Sequence, residues 1–194
     1  MAAIDRRSLI LKAATQAFAQ FGYKATTMDL VSKIANVGKG TIYTFFKTKE
    51  ELFDEIVRKA LHELQVVLDE GMHEGEPFFD NLFRVLSALL EFRSDHELFI
   101  KLQQEVQHIG TSQALEGTHR LEGVVLDYLR GHIVNGIEKG EIKPCDPDIV
   151  AYTILKLYIA LTSDWNKFHK EPLTKEQIQQ HFILFFAEGL RYSG

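Results

Sequence analysis

The first sixty residues carry hydrophobic side chains at the spacing of short amphipathic helices. Apolar residues recur three or four positions apart, at Ile10, Ala14, Phe18 and Phe21. One face of a helix that begins after Asp5 is therefore apolar. Gly22 follows this run, and glycine readily adopts the positive φ angle that ends a helix. The pattern predicts a first helix that stops at Gly22.

Two further short helices are predicted on either side of a tight turn. Thr27 provides a side-chain oxygen that caps the first of them, which extends to about Ile34. Asn36 and Gly38 then interrupt the pattern, because Asn tolerates left-handed backbone and glycine allows a sharp return to helix. The second short helix is expected over 39–46. Its inward residues are predicted to be Ile42, Phe45 and Phe46, and its outward residues Lys39, Thr41, Tyr43 and Thr44.

A longer helix is predicted to follow this pair. Thr48 is suited to cap it, and Glu51 stands three residues later, where its side chain completes a capping box. The apolar stripe of this helix consists of Leu52, Phe53, Ile56 and Ala60. A polar interruption at 71–77, rich in glycine and ending in proline, marks the end of the helix.

The rest of the chain is also predicted to be helical. Helices are expected near 78–93, 96–109, 117–138, 147–168 and 174–191. The last two carry an excess of apolar residues, so each must be buried on more than one side. Two such helices from each of two copies would form a four-helix dimer interface. The expected fold class is all-α, with an amino-terminal three-helix helix-turn-helix domain and a larger helical bundle.

Charge is distributed unevenly along the 194-residue chain. The net charge is −5, yet residues 1–60 hold ten Lys or Arg against six Asp or Glu, and twelve basic and twenty-one acidic residues follow. A small basic segment is thus joined to a larger acidic body. The acidic total does not exclude nucleic-acid binding by the first segment. It disfavours a strongly anionic small ligand of the body unless the local charge of the pocket overrides the total.

Cysteine usage and hydropathy indicate a cytoplasmic protein. Cys145 is the single cysteine, so an intramolecular disulfide is excluded. The amino-terminal residues lack the apolar stretch of a signal peptide, and no run of about 18 apolar residues occurs in the chain. We therefore expect no membrane partner.

The chemistry of the first segment suits DNA. Two short helices joined by a tight turn, behind a supporting helix, are suited to present a recognition helix to the major groove. Lys39 and Lys49 offer positive charges to phosphates, and Thr27 and Tyr43 offer hydroxyl hydrogen bonds. Base edges or thymine methyl groups are suitable partners for Thr41 and Thr44.

Three sequence blocks resemble the DNA-binding domain of the TetR family in order and spacing. They are FGYKATT at 21–27, VGKGTIY at 37–43 and FKTKEEL at 46–52. The resemblance covers about residues 4–64 and implies a homodimeric transcriptional regulator, usually a repressor. It places the helix-turn-helix at 27–46.

The resemblance also implies roles for individual residues. DNA contacts would fall on Lys39, Gly40, Thr41, Tyr43 and Thr44, with phosphates bound by Thr27 and Lys49. Gly40 matches a glycine that lets the helix approach DNA closely. Three positions depart from the family pattern: Asn36 replaces a turn glycine, Gly38 replaces a Ser or Thr cap, and Lys47 stands where proline is frequent.

Residues 4–64 are accordingly expected to form the DNA-binding domain, and residues 65–194 an effector-binding and dimerisation domain. Two recognition helices about 34 Å apart read successive major grooves, which predicts a palindromic operator. The side chains suggested to line a small-molecule pocket are Phe92, Phe99, Gln103, Tyr128, Tyr158 and Trp165. Ordinary core packing is the alternative for each of them. The family resemblance implies that ligand and DNA oppose each other.

Several alternatives stand beside this interpretation. Residues 5–58 can instead form a small helical bundle with a solvated lysine face. An enzyme is disfavoured, because the segment 38–41 lacks the full spacing of a phosphate-binding loop and no catalytic or cofactor motif is found. A metal sensor is disfavoured by the dispersal of eight histidines, and a redox role for Cys145 by nearby carboxylates. A purely structural helical dimer would show no salt-dependent DNA affinity. No cofactor and no metal are expected.

Overall fold

The computed structural model describes residues 5–73, 75–108 and 110–190. These residues are almost entirely helical and include no β-strand, which confirms the all-α prediction. The first helices are α1 (Arg6–Ala25), α2 (Met28–Ile34), α3 (Lys39–Phe45), α4 (Lys49–Glu70), α5 (Phe78–Asp95) and α6 (Glu97–His108). They are followed by α7 (Ser112–Glu138), α8 (Pro147–Ile159), α9 (Trp165–Phe168), α10 (Lys175–Phe182) and α11 (Glu188–Leu190). Single π-helical turns at Ala160–Asp164 and Ile183–Ala187 join α8 to α9 and α10 to α11.

The described residues form two compact units. The first unit contains those of Met1–Glu63 and Arg93–Leu121, and the second those of Leu64–Phe92 and Glu122–Gly194. Helices α4, α5 and α7 each contribute residues to both units. The boundary expected between residues 64 and 65, which separates a DNA-binding domain from an effector-binding domain, stays a prediction.

Helix α1 breaks where the sequence predicts it. Gly22 has φ 80° and ψ 173°, a backbone conformation that is favourable only for glycine. Helical geometry resumes for a further turn up to Ala25, which the sequence pattern does not indicate. The buried Thr26 side chain then closes the break, since its hydroxyl donates to the carbonyl oxygens of Ala17 (3.1 Å) and Gly22 (2.7 Å).

The turn between α2 and α3 also follows local sequence signals. The Thr27 side chain accepts a hydrogen bond from the backbone N–H of Leu30 (3.1 Å) and so caps α2. Asn36 has a positive φ of 51°, as expected for a left-handed turn residue. Gly38 occupies the cap position of α3 in extended backbone and provides no side-chain bond.

The prediction that Phe45 faces the core is wrong. Ile42 and Phe46 are buried, but 38% of the Phe45 side chain is exposed. Phe45 is the last residue of α3, and it lies on the other flank of Ile42, about 100° around the helix from Phe46. The extended backbone at Phe46 turns that ring into the core, where the Arg7 guanidinium lies 5.4 Å from its centroid.

The start of α4 matches the prediction except in one hydrogen bond. Thr48 caps the helix by accepting from the backbone N–H of Glu51 (3.1 Å). The Glu51 carboxylate accepts in return from Lys47 N (2.7 Å), one residue before the position that a capping box requires. The four apolar stripe residues predicted for this helix are all buried.

The second unit leaves one face of its last helices uncovered. In α8, Ile154 and Tyr158 are buried while Ile149 and Tyr152 are exposed. Near the end of the chain, Phe182 and Phe186 are buried, but Leu184 and Phe185 are 54% and 57% exposed. One chain therefore buries only one of the two apolar faces predicted for these segments.

The backbone conformation at Gly22 predicts that a larger side chain at this position destabilises the protein. We expect Gly22→Ala to lower the free energy of unfolding by about 1–3 kcal/mol, the cost of a glycine-only conformation. An added Cβ would also collide with Glu105. Urea denaturation followed by circular dichroism measures the change.

Gly131→Ala is the matched control for this substitution. Gly131 is exposed inside α7, and apart from its neighbours and the backbone of its own helix no atom lies within 4 Å of the position of an added Cβ. The control should gain up to about 1 kcal/mol, because alanine favours helix over glycine. A Gly22→Ala variant as stable as the wild type would contradict the strained backbone.

Candidate nucleic-acid interface

Helix α3 exposes most of the side chains that were predicted to contact DNA. Lys39, Gly40, Tyr43 and Thr44 are exposed, and Thr41 is half-buried beside the fully buried Ile42. The Thr44 hydroxyl donates to the carbonyl oxygen of Thr41 (2.7 Å), so its methyl group and oxygen lone pairs remain for other partners. Thr27, at the start of α2, is exposed as well, although its oxygen already caps that helix.

Lys39 is held in an ion pair across the turn. Its ammonium lies 2.9 Å from a carboxylate oxygen of Asp29 on α2, and Lys33 lies 3.7 Å from the other oxygen. The hydrogen bond from Lys39 lowers the pKa of Asp29, and the same bond raises the pKa of Lys39. Lys39 thus stays cationic, and its exposed partner can be exchanged for a phosphate at little cost.

Lys49 is engaged differently from the sequence expectation. Its ammonium donates to the carbonyl oxygen of Tyr23 (3.0 Å) and lies 4.1 Å from the centroid of the Tyr23 ring. The side chain is half-buried. In this arrangement Lys49 links the start of α4 to the end of α1.

Tyr23 contacts Lys49, Glu50 and Phe53 where the end of α1 meets the start of α4, a region that is called the corner below. Its hydroxyl donates to Glu50 (2.6 Å), and its ring lies 4.9 Å from the ring of Phe53 and 5.9 Å from that of Phe18. Burial, followed by the bond to Glu50, raises the pKa of Tyr23 well above its usual value. The bond from Tyr23 lowers the pKa of Glu50. A neutral tyrosine and an ionised glutamate therefore fix α1 to α4 at neutral pH.

A carboxylate from far along the chain completes the corner. Glu105 on α6 accepts hydrogen bonds from the backbone N–H groups of Tyr23 (2.6 Å) and Lys24 (3.3 Å). Sequence reasoning missed this residue, because no local pattern links positions 82 residues apart. It also missed the exposed Phe45, which lies on the same helix as Thr41 and Thr44.

The residues suggested for a ligand pocket are divided between the two units. Phe99 and Gln103 belong to the first unit, and the other four belong to the second. Tyr128 donates its hydroxyl to the carbonyl oxygen of Leu68 (2.6 Å), and burial raises its pKa. Trp165 stacks on His169 with ring centroids 3.5 Å apart. Phe92 and Tyr158 are buried.

The described residues enclose two cavities of interest among others. A groove of about 840 Å³ in the first unit is bordered by α1, α4 and the start of α6. A smaller cavity of about 170 Å³ in the second unit is bordered by Asn81 and His132, among others. Neither of these two cavities is lined by the suggested pocket residues.

Two histidines and the single cysteine each lie near a carboxylate of a neighbouring residue. His96 lies 2.9 Å from Glu63, and His73 lies 3.2 Å from Glu76. Burial, and then the neighbouring Asp146, raises the pKa of the Cys145 thiol. In the described part of the chain, no three His, Cys, Asp or Glu side chains are grouped as a metal site.

No described helix has the length and apolar character to span a bilayer.

Comparison with known proteins identifies relatives over nearly the whole chain. A family model described as bacterial regulatory proteins, tetR family, matches residues 10–56. The chain is 54% identical over 187 residues to the HTH-type transcriptional regulator YhgD of Bacillus subtilis, covering 96% of this chain and 97% of that protein. It is 25% identical to the HTH-type transcriptional repressor KstR2 of Mycolicibacterium smegmatis, covering 97% of this chain and 92% of that protein.

A solved structure shares the fold. The transcriptional regulator FadR of Bacillus subtilis, in complex with stearoyl-CoA, aligns with a TM-score of 0.73 at 23% identity, covering 90% of this chain and 92% of that one. These relatives are transcriptional regulators rather than enzymes. Since the first of them is highly identical along almost the entire chain, and the family model matches the segment that holds α2 and α3, the chain belongs to the TetR family of bacterial transcriptional regulators.

Proposed function

We propose that this regulator is a dimeric repressor that binds a palindromic operator through α2 and α3 and is released by a small molecule. The observation that carries the proposal is the exposed surface of α3, where Lys39, Tyr43 and Thr44 point away from a core anchored by Ile42. Repression is the direction named for the relative KstR2.

Gly40 supports a close approach of α3 to DNA. It is exposed inside a helix, where glycine is less favourable than alanine. Apart from its two neighbours and the backbone of its own helix, no atom lies within 4 Å of the position that its Cβ would occupy, so packing within the chain gives no reason for a glycine. A phosphate or sugar that contacts the backbone at this position would give one.

The remaining contacts follow from chemistry and exposure. Lys39 is the principal phosphate ligand of this proposal, with Thr27, Tyr43 and Lys49 at the phosphates beside it. Thr41 and Thr44 contact base edges or thymine methyl groups. Phe45 joins them, since its exposed ring offers an apolar surface to a thymine methyl group or a sugar.

The dimer interface is proposed on the uncovered faces of α8 and the segment after α10. Exposed apolar side chains on these two segments are Ile149, Tyr152, Ile183, Leu184 and Phe185. Their burial against a second copy would remove apolar surface from water. It would also pair two recognition helices, as a palindromic site requires.

The effector is proposed to carry a long apolar chain. The comparison that supports this is FadR of Bacillus subtilis, which is described in complex with stearoyl-CoA. A role in effector binding for Phe92, Tyr128, Tyr158 and Trp165 of the second unit is part of the proposal. The same role for Phe99 and Gln103 of the first unit is also proposed.

DNA binding and the role of Gly40 can be tested together. Selection from a random library of fluorescent duplexes should enrich a palindrome that the wild type binds with strong salt dependence. On that duplex, Gly40→Ala should weaken binding by about ten-fold, equivalent to ~1.4 kcal/mol. Its stability should stay unchanged or rise by up to about 1 kcal/mol.

Gly131→Ala again provides the control, as a helical glycine outside the helix-turn-helix, and should bind as the wild type does. A folded wild-type dimer that enriches no sequence would refute operator binding. A Gly40→Ala variant with unchanged affinity would refute the close approach at that residue alone.

The dimer makes a separate prediction. Leu184→Asp places a charge on the exposed apolar face and should convert the protein from twice its 22.2 kDa chain mass to a single chain, as measured by sedimentation velocity. Affinity for the palindrome should fall with it. Val134→Asp, at an exposed apolar residue of α7, is the matched control and should stay dimeric. A monomeric Leu184→Asp that retains full affinity would contradict the two-site model.

Stearoyl-CoA is the first effector to test. Titration into the protein–duplex complex should lower the fluorescence anisotropy, because ligand and DNA stabilise different states of one protein. Coenzyme A without the acyl chain is the control and should have no effect. Unchanged DNA binding, together with direct binding of stearoyl-CoA, would show that this ligand is not an inducer.

A further inference from the structure

We propose that Glu105, which lies on α6 and outside the helix-turn-helix, positions the DNA-binding surface by holding the backbone at the break in α1. The inference rests on the proposed DNA-binding function. It assigns a role in operator affinity to a residue about sixty positions after the recognition helix.

Glu105 is an unusual side chain because it is charged and almost completely buried. Only 6% of the residue is exposed, and no other Asp, Glu, Lys or Arg whose side chain the structure describes is buried. Burying a carboxylate is costly unless hydrogen-bond donors surround it. Its donors are the backbone N–H groups of Tyr23 and Lys24 and the hydroxyl of Thr111.

The break at Gly22 creates the donors that Glu105 binds. In a continuous helix, the N–H groups of residues 23 and 24 would donate to carbonyl groups four residues earlier. The non-helical backbone at Gly22 interrupts this pattern and starts a new turn, whose first N–H groups need an external acceptor. A carboxylate is well suited to such a position, because it also complements the positive end of the turn.

Gly22 and Glu105 form two halves of one contact. A side chain at position 22 would occupy the space that the Glu105 carboxylate fills, since an added Cβ meets the same oxygen that accepts from Tyr23. Both the positive φ and the missing Cβ of Gly22 are therefore needed for Glu105 to reach the backbone.

The contact continues from Tyr23 to residues proposed to bind DNA. The carbonyl oxygen of Tyr23 accepts the hydrogen bond from Lys49, and its hydroxyl bonds Glu50 at the start of α4. In the other direction along the chain, the Thr26 hydroxyl bonds the Gly22 carbonyl directly before Thr27 caps α2. Glu105 thus fixes the segment from which both Lys49 and Thr27 take their positions.

The end of α6 holds the Glu105 side chain in place. Gly110, with φ 70°, donates its N–H to the carbonyl oxygen of Glu105 (2.9 Å), as in a helix cap that ends on a left-handed glycine. The hydroxyl of the next residue, Thr111, donates to the second oxygen of the carboxylate. The carboxylate is therefore held from the α6 side while it binds the α1 backbone.

Glu105→Ala and Glu105→Gln test the positioning role on the duplex enriched by the selection above. Glu105→Ala should weaken binding by about ten-fold or more, as expected when buried donors lose a charged acceptor. The slope of log affinity against log salt concentration should become less steep by about 0.9, the value for one lost phosphate contact. The reason is that Lys49 is no longer held by the Tyr23 carbonyl group. Glu105→Gln should lie between Ala and wild type, since its amide oxygen can still accept from Tyr23.

Glu97→Gln is the matched control, because it neutralises an exposed carboxylate at the start of the same helix. It should bind with wild-type affinity and salt slope. Hydrogen exchange should show faster exchange of the Tyr23 and Lys24 amides in Glu105→Ala, with unchanged exchange in α10.

Two results would overturn the proposal. One is a folded Glu105→Ala with wild-type affinity and salt slope. The other is a smaller fraction of active protein at an unchanged dissociation constant, which indicates a purely structural role. If Glu105→Ala does not fold, Glu105→Gln and Thr111→Val take its place under the same criteria. A wild type that enriches no duplex would instead refute the proposed function, and this inference with it.

Discussion

The N–H groups released where α1 breaks need acceptors, and the corner of the first unit is built around the side chains that supply them. A backbone donor that is buried without a partner costs about 1–3 kcal/mol, which is a large part of the stability of a small domain. Glu105 meets this demand at Tyr23 and Lys24, and Thr26 bonds the carbonyl group of Gly22. These bonds hold the segment between the break in α1 and the start of α2.

The two lysines proposed to contact phosphates differ in the contacts within the protein that each would lose on binding DNA. Lys39 is paired with the exposed Asp29, and such surface pairs contribute at most about 1 kcal/mol. A phosphate can therefore replace Asp29 easily. Lys49 bonds the Tyr23 carbonyl and lies over its ring, so moving it away would open the corner. We infer that Lys49 acts on DNA from its present position, whereas Lys39 moves.

Local signals in the sequence predicted the helix-turn-helix well. Gly22, Thr27, Asn36 and Thr48 each act on backbone within about four residues, and each has the expected conformation or cap. The predictions fail where the structure depends on contacts between residues distant in sequence, or on where a short helix ends. Phe45 is exposed because α3 ends beside it. Glu105 bonds a backbone 82 residues away, which no periodic pattern can indicate.

The proposed dimer would explain both the shortness of α3 and the uncovered faces of the second unit. A helix of seven residues is about 10 Å long and reaches the edges of only a few base pairs. Such a contact gives little discrimination against the many competing sites of a genome. In the proposed dimer, a second copy would double the base contacts and fix their spacing. The exposed Leu184 and Phe185 side chains would then be retained because the protein needs its partner in order to read DNA.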